Sequence, residues 1–185
     1  MNRITVKAGQ KKTLPILWTG EETEMDINVD LAGEGAETEI LLLLLGKGTS
    51  SLNIKAEVRH LARQTKSQLL VKGALGERAR VDFDGWVKIL PGAAGSDAWL
   101  GAHLLLLSGQ AAGRAVPNLE IGENDVKAGH AATVGRVDEE QMFYLMSRGV
   151  DREQAYRLVV SGFAQSMLRK FPEKMRKLAM RNLSI

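Results

Sequence analysis

Residues 37–58 read ETEILLLLLGKGTSSLNIKAEV, and this stretch decides the fold. It begins with an apolar run that ends at Leu45, turns at Gly46-Lys-Gly48, and continues as a segment in which apolar and polar residues alternate. Alternation with a period of two is typical of a strand with one buried face, whereas a continuous apolar run is typical of a strand covered on both faces. The stretch therefore predicts two strands of different burial joined by a glycine-containing turn.

The same unit of apolar strand, glycine-rich turn and alternating strand occurs about three times. The second copy lies at residues 68–83 with a predicted turn at 73–76, and the third lies at residues 103–121 with a predicted turn at 108–113. Residues 86–90 are predicted as an additional strand between them. Because the units follow one another at spacings of 27 and 35 residues, the pattern favours a β-solenoid of stacked coils. A β-sandwich of short strands is the alternative.

Composition excludes several classes of protein. The chain has 185 residues, of which 44% are hydrophobic and 25% charged, as is usual for a globular protein. It contains no cysteine, so it has no disulfide and no thiolate ligand or nucleophile of its own. The longest apolar run, Ile40–Leu45, is too short to span a bilayer, and the N-terminal sequence MNRITVKAGQKK lacks the apolar core of a signal peptide. We therefore expect a cytoplasmic location.

Sequence motifs of common enzymes are missing. The chain has no Gly-x-x-x-x-Gly-Lys-Ser/Thr phosphate loop and no Gly-x-Ser-x-Gly nucleophile elbow. Asp82 and Asp84 lie on one face of a predicted strand and keep open a carbohydrate-active β-helix enzyme, although nothing else supports it. We expect that the protein is not an enzyme.

Helical signals begin at Asp138, a residue type that caps helix N-termini, and the first helix is predicted to end at Gly149. Asp151 is predicted to cap a second helix, and Pro172 to open a third that runs to about Asn182. The basic residues of 169–181 are spaced as on a solvated helix face, with an anionic partner as the alternative.

The candidate metal-ligand residues lie where the sequence changes from strand-like to helix-like patterning. His130 is the first candidate, because imidazole is a common metal ligand, and a hydrogen-bonding role is the alternative. Glu120, Glu123 and Asp125 lie nearby and offer oxygen ligands, or else face solvent from an edge strand and turn. His60 and His103 are predicted to be structural.

The first predicted helix carries apolar residues on all its sides, and only one side can meet its own core, which is typical of a helix with a partner. We expect partner binding on the helices of residues 138–168. The predicted partner-binding residues are Met142, Phe143, Tyr144, Met146, Arg148 and Phe163.

Residues 117–149, PNLEIGENDVKAGHAATVGRVDEEQMFYLMSRG, resemble the C-terminal signature of the SufB/SufD family, and the likeness continues to about Met167. These proteins are scaffolds of the SUF machinery that assembles iron–sulfur clusters. The resemblance implies a right-handed parallel β-helix core, here residues 1–134, followed by a C-terminal helical domain, residues 135–185. It further implies a protein without enzymatic activity that pairs through its β-helix and binds the ABC-type ATPase SufC through its C-terminal helices. The cluster would be assembled at the interface of the pair, where His130 corresponds to an interface ligand.

The chain departs from the family pattern in length and in chemistry. It is shorter than most relatives and is expected to be a minimal core. Where many SufD-like members have cysteine just before the motif histidine, this chain has Ala128-Gly129-His130, and where SufB-like members have glutamate after it, this chain has Ala131. Any iron–sulfur cluster would need sulfur ligands from a cysteine-bearing partner or from sulfide. Two alternatives stay open, a homodimer or a pair with a SufB/SufD-type paralogue, and a cluster scaffold or an adaptor of the ATPase that binds no cluster.

Overall fold

The computed structural model describes residues 3–183, which form ten β-strands followed by three α-helices. The strands are β1 (Ile4–Val6), β2 (Lys11–Trp18), β3 (Glu24–Leu31), β4 (Glu37–Gly46), β5 (Ser51–His60), β6 (Lys66–Leu75), β7 (Arg80–Ile89), β8 (Ser96–Leu106), β9 (Ala112–Ile121) and β10 (Val126–Arg136). The helices are α1 (Glu139–Ser147), α2 (Arg152–Leu168) and α3 (Glu173–Leu183). None of these helices has the length and apolar character needed to cross a bilayer.

Successive strands alternate between two sheets. Within residues 3–183 the odd-numbered strands form one five-stranded sheet, in the order β1-β3-β5-β7-β9, and the even-numbered strands form the other, in the order β2-β4-β6-β8-β10. Every pairing is parallel, and residues opposite one another, such as Leu42 and Val71, come from successive coils. The prediction of a β-solenoid is confirmed, with about five turns. The sandwich alternative is wrong, since its sheets would be built from antiparallel neighbours.

The apolar run of β4 is buried on both faces. Ile40, Leu42 and Leu44 point into the core between the two sheets. Leu41, Leu43 and Leu45 point outward and form a second core with residues of α2 and α3, including Val160, Ala164, Met167 and Leu183. The run is continuous because successive side chains of a strand point to opposite faces and both faces here are covered. The outer face of the even-numbered sheet is therefore the surface on which the helices pack.

Three details of the predicted strands are wrong. Gly73 is not a turn residue: β6 continues to Leu75, and a Cβ at position 73 would lie 2.6 Å from Cδ2 of Leu104, so packing requires glycine there. Residues 86–90 are not a separate strand, because β7 runs from Arg80 to Ile89 without interruption. The predicted turn at 108–113 is shorter, since β9 begins at Ala112.

The helix ends were predicted correctly from their capping residues. A side-chain oxygen of Asp138 accepts the N–H of Glu140 at 2.9 Å, and a side-chain oxygen of Asp151 accepts the N–H of Gln154 at 2.9 Å. Gly149 follows α1 with a φ of 87°, a conformation that costs little only for glycine. The third helix begins one residue after Pro172.

One corner of the solenoid repeats the same left-handed backbone in successive coils. Gly9, Gly35, Gln64 and Gly95 have φ of 65°, 67°, 56° and 75°. Each donates its N–H to a carbonyl oxygen of the next coil, as Gly35 does to Arg63 at 3.1 Å and Gln64 to Ala94 at 2.9 Å. The corner thus continues the hydrogen-bonded ladder between the strands, and it needs a positive φ to do so.

We predict opposite effects for two glycine-to-alanine changes that both add a methyl group to open space. Gly35→Ala should lower the free energy of unfolding by about 1 kcal/mol, because position 35 requires a left-handed backbone. Gly162→Ala, within α2, should raise it by roughly 0.5–1 kcal/mol, because alanine loses less backbone entropy in a helix. Urea unfolding followed by circular dichroism measures both, and changes of the same sign would contradict the explanation.

Candidate pairing edge and docking surface

The last coil, formed by β9 and β10, leaves part of its inner row of side chains uncovered. β9 and β10 are the terminal strands of their sheets, so no strand among residues 3–183 pairs with their outer edges. Val134 of β10 is 42% exposed, while Leu104, directly opposite it one coil earlier, is 2% exposed. Ile121 of β9 is 47% exposed, whereas its counterpart Ile89 is 1% exposed. The coil therefore offers both unpaired backbone groups and apolar side chains, and we call it the pairing edge.

His130 lies on this pairing edge. It is directly opposite Leu100, a fully buried core residue, and therefore belongs to the inward-facing row of β10. Because no further coil covers this row, the His130 side chain is exposed. No hydrogen bond from its ring to another described residue fixes it. The prediction that His130 is an interface ligand stays a prediction, and its place on the uncovered coil is compatible with it.

Two of the three predicted carboxylate ligands, Glu120 and Glu123, have other partners. Glu120 lies 3.2 Å from Nζ of Lys88. A carboxylate oxygen of Glu123 accepts the N–H of Gly92 at 3.1 Å and another that of Asn124 at 2.9 Å, and these bonds hold the pKa of Glu123 below its usual value. The backbone oxygen of Asp125 accepts the N–H of Gly95. Within residues 3–183, no three His, Asp or Glu side chains are grouped so that they could hold a metal ion.

His60 is a buried structural residue, in agreement with the prediction. Its Nδ1 lies 2.8 Å from Oγ1 of Thr65 and its Nε2 lies 2.8 Å from Oγ of Ser67. Thr65 is joined in turn to Ser96 of the next coil at 2.8 Å. Burial lowers the pKa of His60 to about 4, so the ring is neutral at physiological pH. Hydroxyl groups therefore satisfy the ring without a charge in the core.

His103 is half-buried on the outer face of the even-numbered sheet. Its Nδ1 lies 2.9 Å from Oγ1 of Thr133 on β10. Burial, and to a lesser extent the charge of Lys72, lower the pKa of His103. Lys72 lies directly opposite His103 on β6 and reaches up to α2, where its Nζ donates to the backbone oxygen of Phe163 at 2.6 Å.

Helices α1 and α2 expose a group of apolar side chains that we call the docking surface. Its members are Phe143 at 74% exposure, Tyr144 at 58%, Leu158 at 55% and Met146 at 39%. The guanidinium of Arg148 lies 5.3 Å from the centre of the Tyr144 ring, so a cation borders the apolar area. Exposed apolar groups of this kind mark interaction sites more often than isolated ones do.

Two of the predicted docking residues have roles within the chain. Met142 is 1% exposed and packs with Val137 and Ala155, so its inclusion as a partner contact was wrong: it holds α1 to its own chain. Phe163 is half-buried beneath the ammonium group of Lys72, which lies 4.8 Å from the ring centre. Leu158 was not among the predicted partner-binding residues, although it is an apolar residue within residues 138–168, where partner binding was expected.

Asp82 and Asp84, which left a carbohydrate-active enzyme as an alternative, each contact a side chain of the next coil. A carboxylate oxygen of Asp82 lies 2.7 Å from Nη2 of Arg114. A carboxylate oxygen of Asp84 accepts a hydrogen bond from the amide of Asn118 at 2.9 Å. Both aspartates thus contribute to a polar outer face of the odd-numbered sheet, and their geometry gives the enzyme alternative no support.

The comparison with known proteins agrees with the solenoid fold. Residues 3–163 match the family model described as SUF system FeS cluster assembly, SufBD core domain. The chain belongs to the SufBD family. The match includes the whole solenoid and every member of the docking surface, so the resemblance of residues 117–149 extends over the core.

Curated relatives of this SufBD family member carry names from iron–sulfur cluster assembly. The chain is 36% identical over 151 residues to the iron–sulfur cluster assembly protein SufD of Bacillus subtilis, covering 82% of this chain and 35% of the relative. It is 38% identical over 159 residues to an iron–sulfur cluster assembly SufBD family protein of Mycobacterium leprae, covering 82% and 41%. The chain thus spans less than half the length of these relatives. Its family supports a role in SUF iron–sulfur cluster assembly.

Proposed function

We propose that this protein is a non-catalytic scaffold of iron–sulfur cluster assembly that pairs through its last coil and docks an ABC-type ATPase on α1 and α2. The observation that carries the proposal is the uncovered pairing edge. A solenoid coil buries its inner row only when another coil follows it, and unpaired parallel strands are templates for further strands. A second copy of the chain, or a paralogue with the same edge, satisfies both requirements in one contact.

Pairing of two copies is the simplest form of this proposal. Two identical edges related by a two-fold axis are complementary to each other, which makes a homodimer the default. The apolar residues Val134 and Ile121 would lie at such an interface together with His130. A paralogue that carries cysteine would use the same contacts and add sulfur ligands.

We predict that Val134→Glu separates the pair. A carboxylate at the interface would be desolvated without a partner, so the dissociation constant of the dimer should rise at least 100-fold, which corresponds to about 2.7 kcal/mol. Sedimentation velocity over a range of concentrations measures it. Leu178→Glu on α3 is the matched control, since Leu178 is 47% exposed and lies away from the edge. If the Val134→Glu variant associates as tightly as the unaltered chain, the pairing edge is not the dimer interface.

The docking surface fits a helical contact with an ATPase of the SufC type. Helices that present aromatic and methionine side chains bind in grooves of partner proteins. The cap of α1 at Asp138 and its anchor at Met142 hold this surface rigidly, so little conformational entropy is lost on binding. The family to which the chain belongs works in the SUF system, and this supports an ATPase from that system as the partner.

We predict that Phe143→Asp weakens binding of the cognate ATPase at least 10-fold. The Phe143 side chain is 74% exposed, so the change should leave the free energy of unfolding within about 0.5 kcal/mol of that of the unaltered chain. Calorimetry or a pull-down with purified ATPase measures affinity, and Leu178→Glu again serves as the control. Equal binding by Phe143→Asp would place the contact elsewhere.

A cluster would be cargo of the pair and not a resident group of this chain. With no cysteine in the sequence and no group of three ligands among residues 3–183, this chain does not offer a complete set of ligands, and His130 is the residue that we propose it contributes to a shared site. Neutral imidazole is a suitable iron ligand, and the exposed position of His130 on the pairing edge leaves it accessible from a paired copy. The remaining ligands would come from a cysteine-bearing partner or from sulfide.

We predict that His130→Ala lowers cluster occupancy of the pair while dimerisation is kept. Anaerobic reconstitution with iron and sulfide, in the presence of a cysteine-bearing SufB/SufD-type partner, measures the visible charge-transfer absorption. His60→Gln is the histidine control and should retain the absorption. If His130→Ala also retains it, the adaptor alternative, in which the chain docks the ATPase without binding a cluster, replaces the scaffold.

A further inference from the structure

A row of polar side chains crosses the outer face of the even-numbered sheet from α2 to the pairing edge. Lys72 of β6, His103 of β8 and Thr133 of β10 lie directly opposite one another in the parallel ladders. His103 Nδ1 and Thr133 Oγ1 are 2.9 Å apart. Thr133 lies three residues after His130 on the same strand. We call these three residues the polar row.

Lys72 binds α2 at one end of this row through three contacts. Its Nζ donates to the backbone oxygen of Phe163 at 2.6 Å and to Oγ of Ser166 at 2.7 Å, and it lies 4.8 Å from the centre of the Phe163 ring. Burial lowers the pKa of this amine. A charged group that loses water must regain its hydrogen bonds from the protein, so displacement of α2 would leave Lys72 without the partners that stabilise it there.

Apart from the apolar packing of α2, two other polar side chains described in residues 3–183 link α2 or the residues just after it to the solenoid, and they lead elsewhere. The Tyr156 hydroxyl donates to the backbone oxygen of Leu107, at the end of β8, at 2.8 Å. Lys170, just after α2, is paired with Glu39 on β4, which is distant from β10 in the order of strands. Of these three links, the one through Lys72 reaches β10, because His103 and Thr133 follow Lys72 across the sheet.

We propose that Lys72 is a positioning residue that couples the placement of α2 to the geometry of β10 through His103 and Thr133. When α2 shifts, Lys72 loses its hydrogen bonds to the backbone oxygen of Phe163 and to Oγ of Ser166, and its contact with the Phe163 ring. Its charge then moves relative to His103. The imidazole and its hydrogen bond to Thr133 then rearrange, three residues from His130. The coupling is a property of this chain alone; naming the ATPase as the cause of the shift rests on the proposed function.

In the first test, Lys72→Met removes the charge of the side chain and keeps its aliphatic part. Because the chain contains three histidines, each imidazole can be followed separately by NMR. Lys72→Met should raise the pKa of His103, shift the amide signals of Thr133 and its neighbours, and speed hydrogen exchange in α2 several-fold, with His60 unchanged. Lys72→Arg, which keeps a cation, should restore the signals of Thr133 at least in part.

Lys66→Met is the matched control for Lys72→Met. Lys66 lies on the same strand and the same outer face as Lys72, but its side chain is 63% exposed and is paired only weakly with Glu37, at 3.9 Å. The Lys66→Met change should leave the pKa of His103, the amide signals of Thr133 and the hydrogen exchange of α2 unchanged. Equal effects of the two changes, or no effect of Lys72→Met on His103 and α2, would overturn the proposal.

The second test asks whether a change made in α2 reaches β10 through Lys72. Ser166→Ala should shift the amide signals of Thr133 and His130, and the same change in a Lys72→Met background should no longer do so. Such non-additivity is the signature of coupled residues. Additive shifts in the double variant would show that Lys72 does not transmit the change, and would overturn the proposal.

These tests use no ATPase, so they separate the coupling from the docking proposal. If Ser166→Ala moves β10 through Lys72 and the ATPase nevertheless does not bind, the coupling stands and docking fails. If the ATPase binds through Phe143, its addition should shift the His103 signals of the unaltered chain and should shift them less in Lys72→Met. Binding that leaves the His103 signals unmoved in the unaltered chain would overturn the ATPase as the cause of a shift in α2, while the coupling itself stands or fails by the two tests above.

Discussion

The structure depends on the burial of β4 from both sides. The inner leucines of Ile40–Leu45 join the two sheets, and the outer leucines of the same run join the solenoid to α2 and α3. Each layer adds to the stability of the other, because an apolar strand face left in water would lose the favourable free energy of its burial. The helices are therefore fixed on the sheet, and the docking surface they carry has a defined position relative to the coils.

A solenoid differs from a closed domain because its core continues as long as coils are added. Each inner row is covered by the coils on either side, and the last row is covered only by a partner. This is why residues of β9 and β10 at core positions are exposed here, while their equivalents one coil earlier are buried. In the function we propose, the same geometric property that leaves the end of the solenoid uncovered creates the surface for pairing and places His130 within it.

Much of the coil pattern could be predicted from local sequence, and the exceptions have identifiable causes. β10, VKAGHAATVGR, was not predicted because it has small residues where the earlier coils have large apolar ones, and its inner row is not covered. Gly73 was assigned to a turn because glycine marks turns more often than it marks close packing against a side chain such as Leu104. Met142 was assigned to the docking surface because a helix with apolar residues on every side does not indicate which of them meets its own core.

The sequence by itself determined the alternation of buried strands and turns, the capped ends of the helices, the family, and the absence of thiol ligands. These properties depend on residues close together in the chain, where periodicity and capping act. Only the tertiary structure decided which residues of different coils become neighbours, as Lys72, His103 and Thr133 do, and which core positions stay exposed. The physical reason is that strand register and burial arise from contacts between residues about one coil apart or further, and no local pattern specifies those contacts.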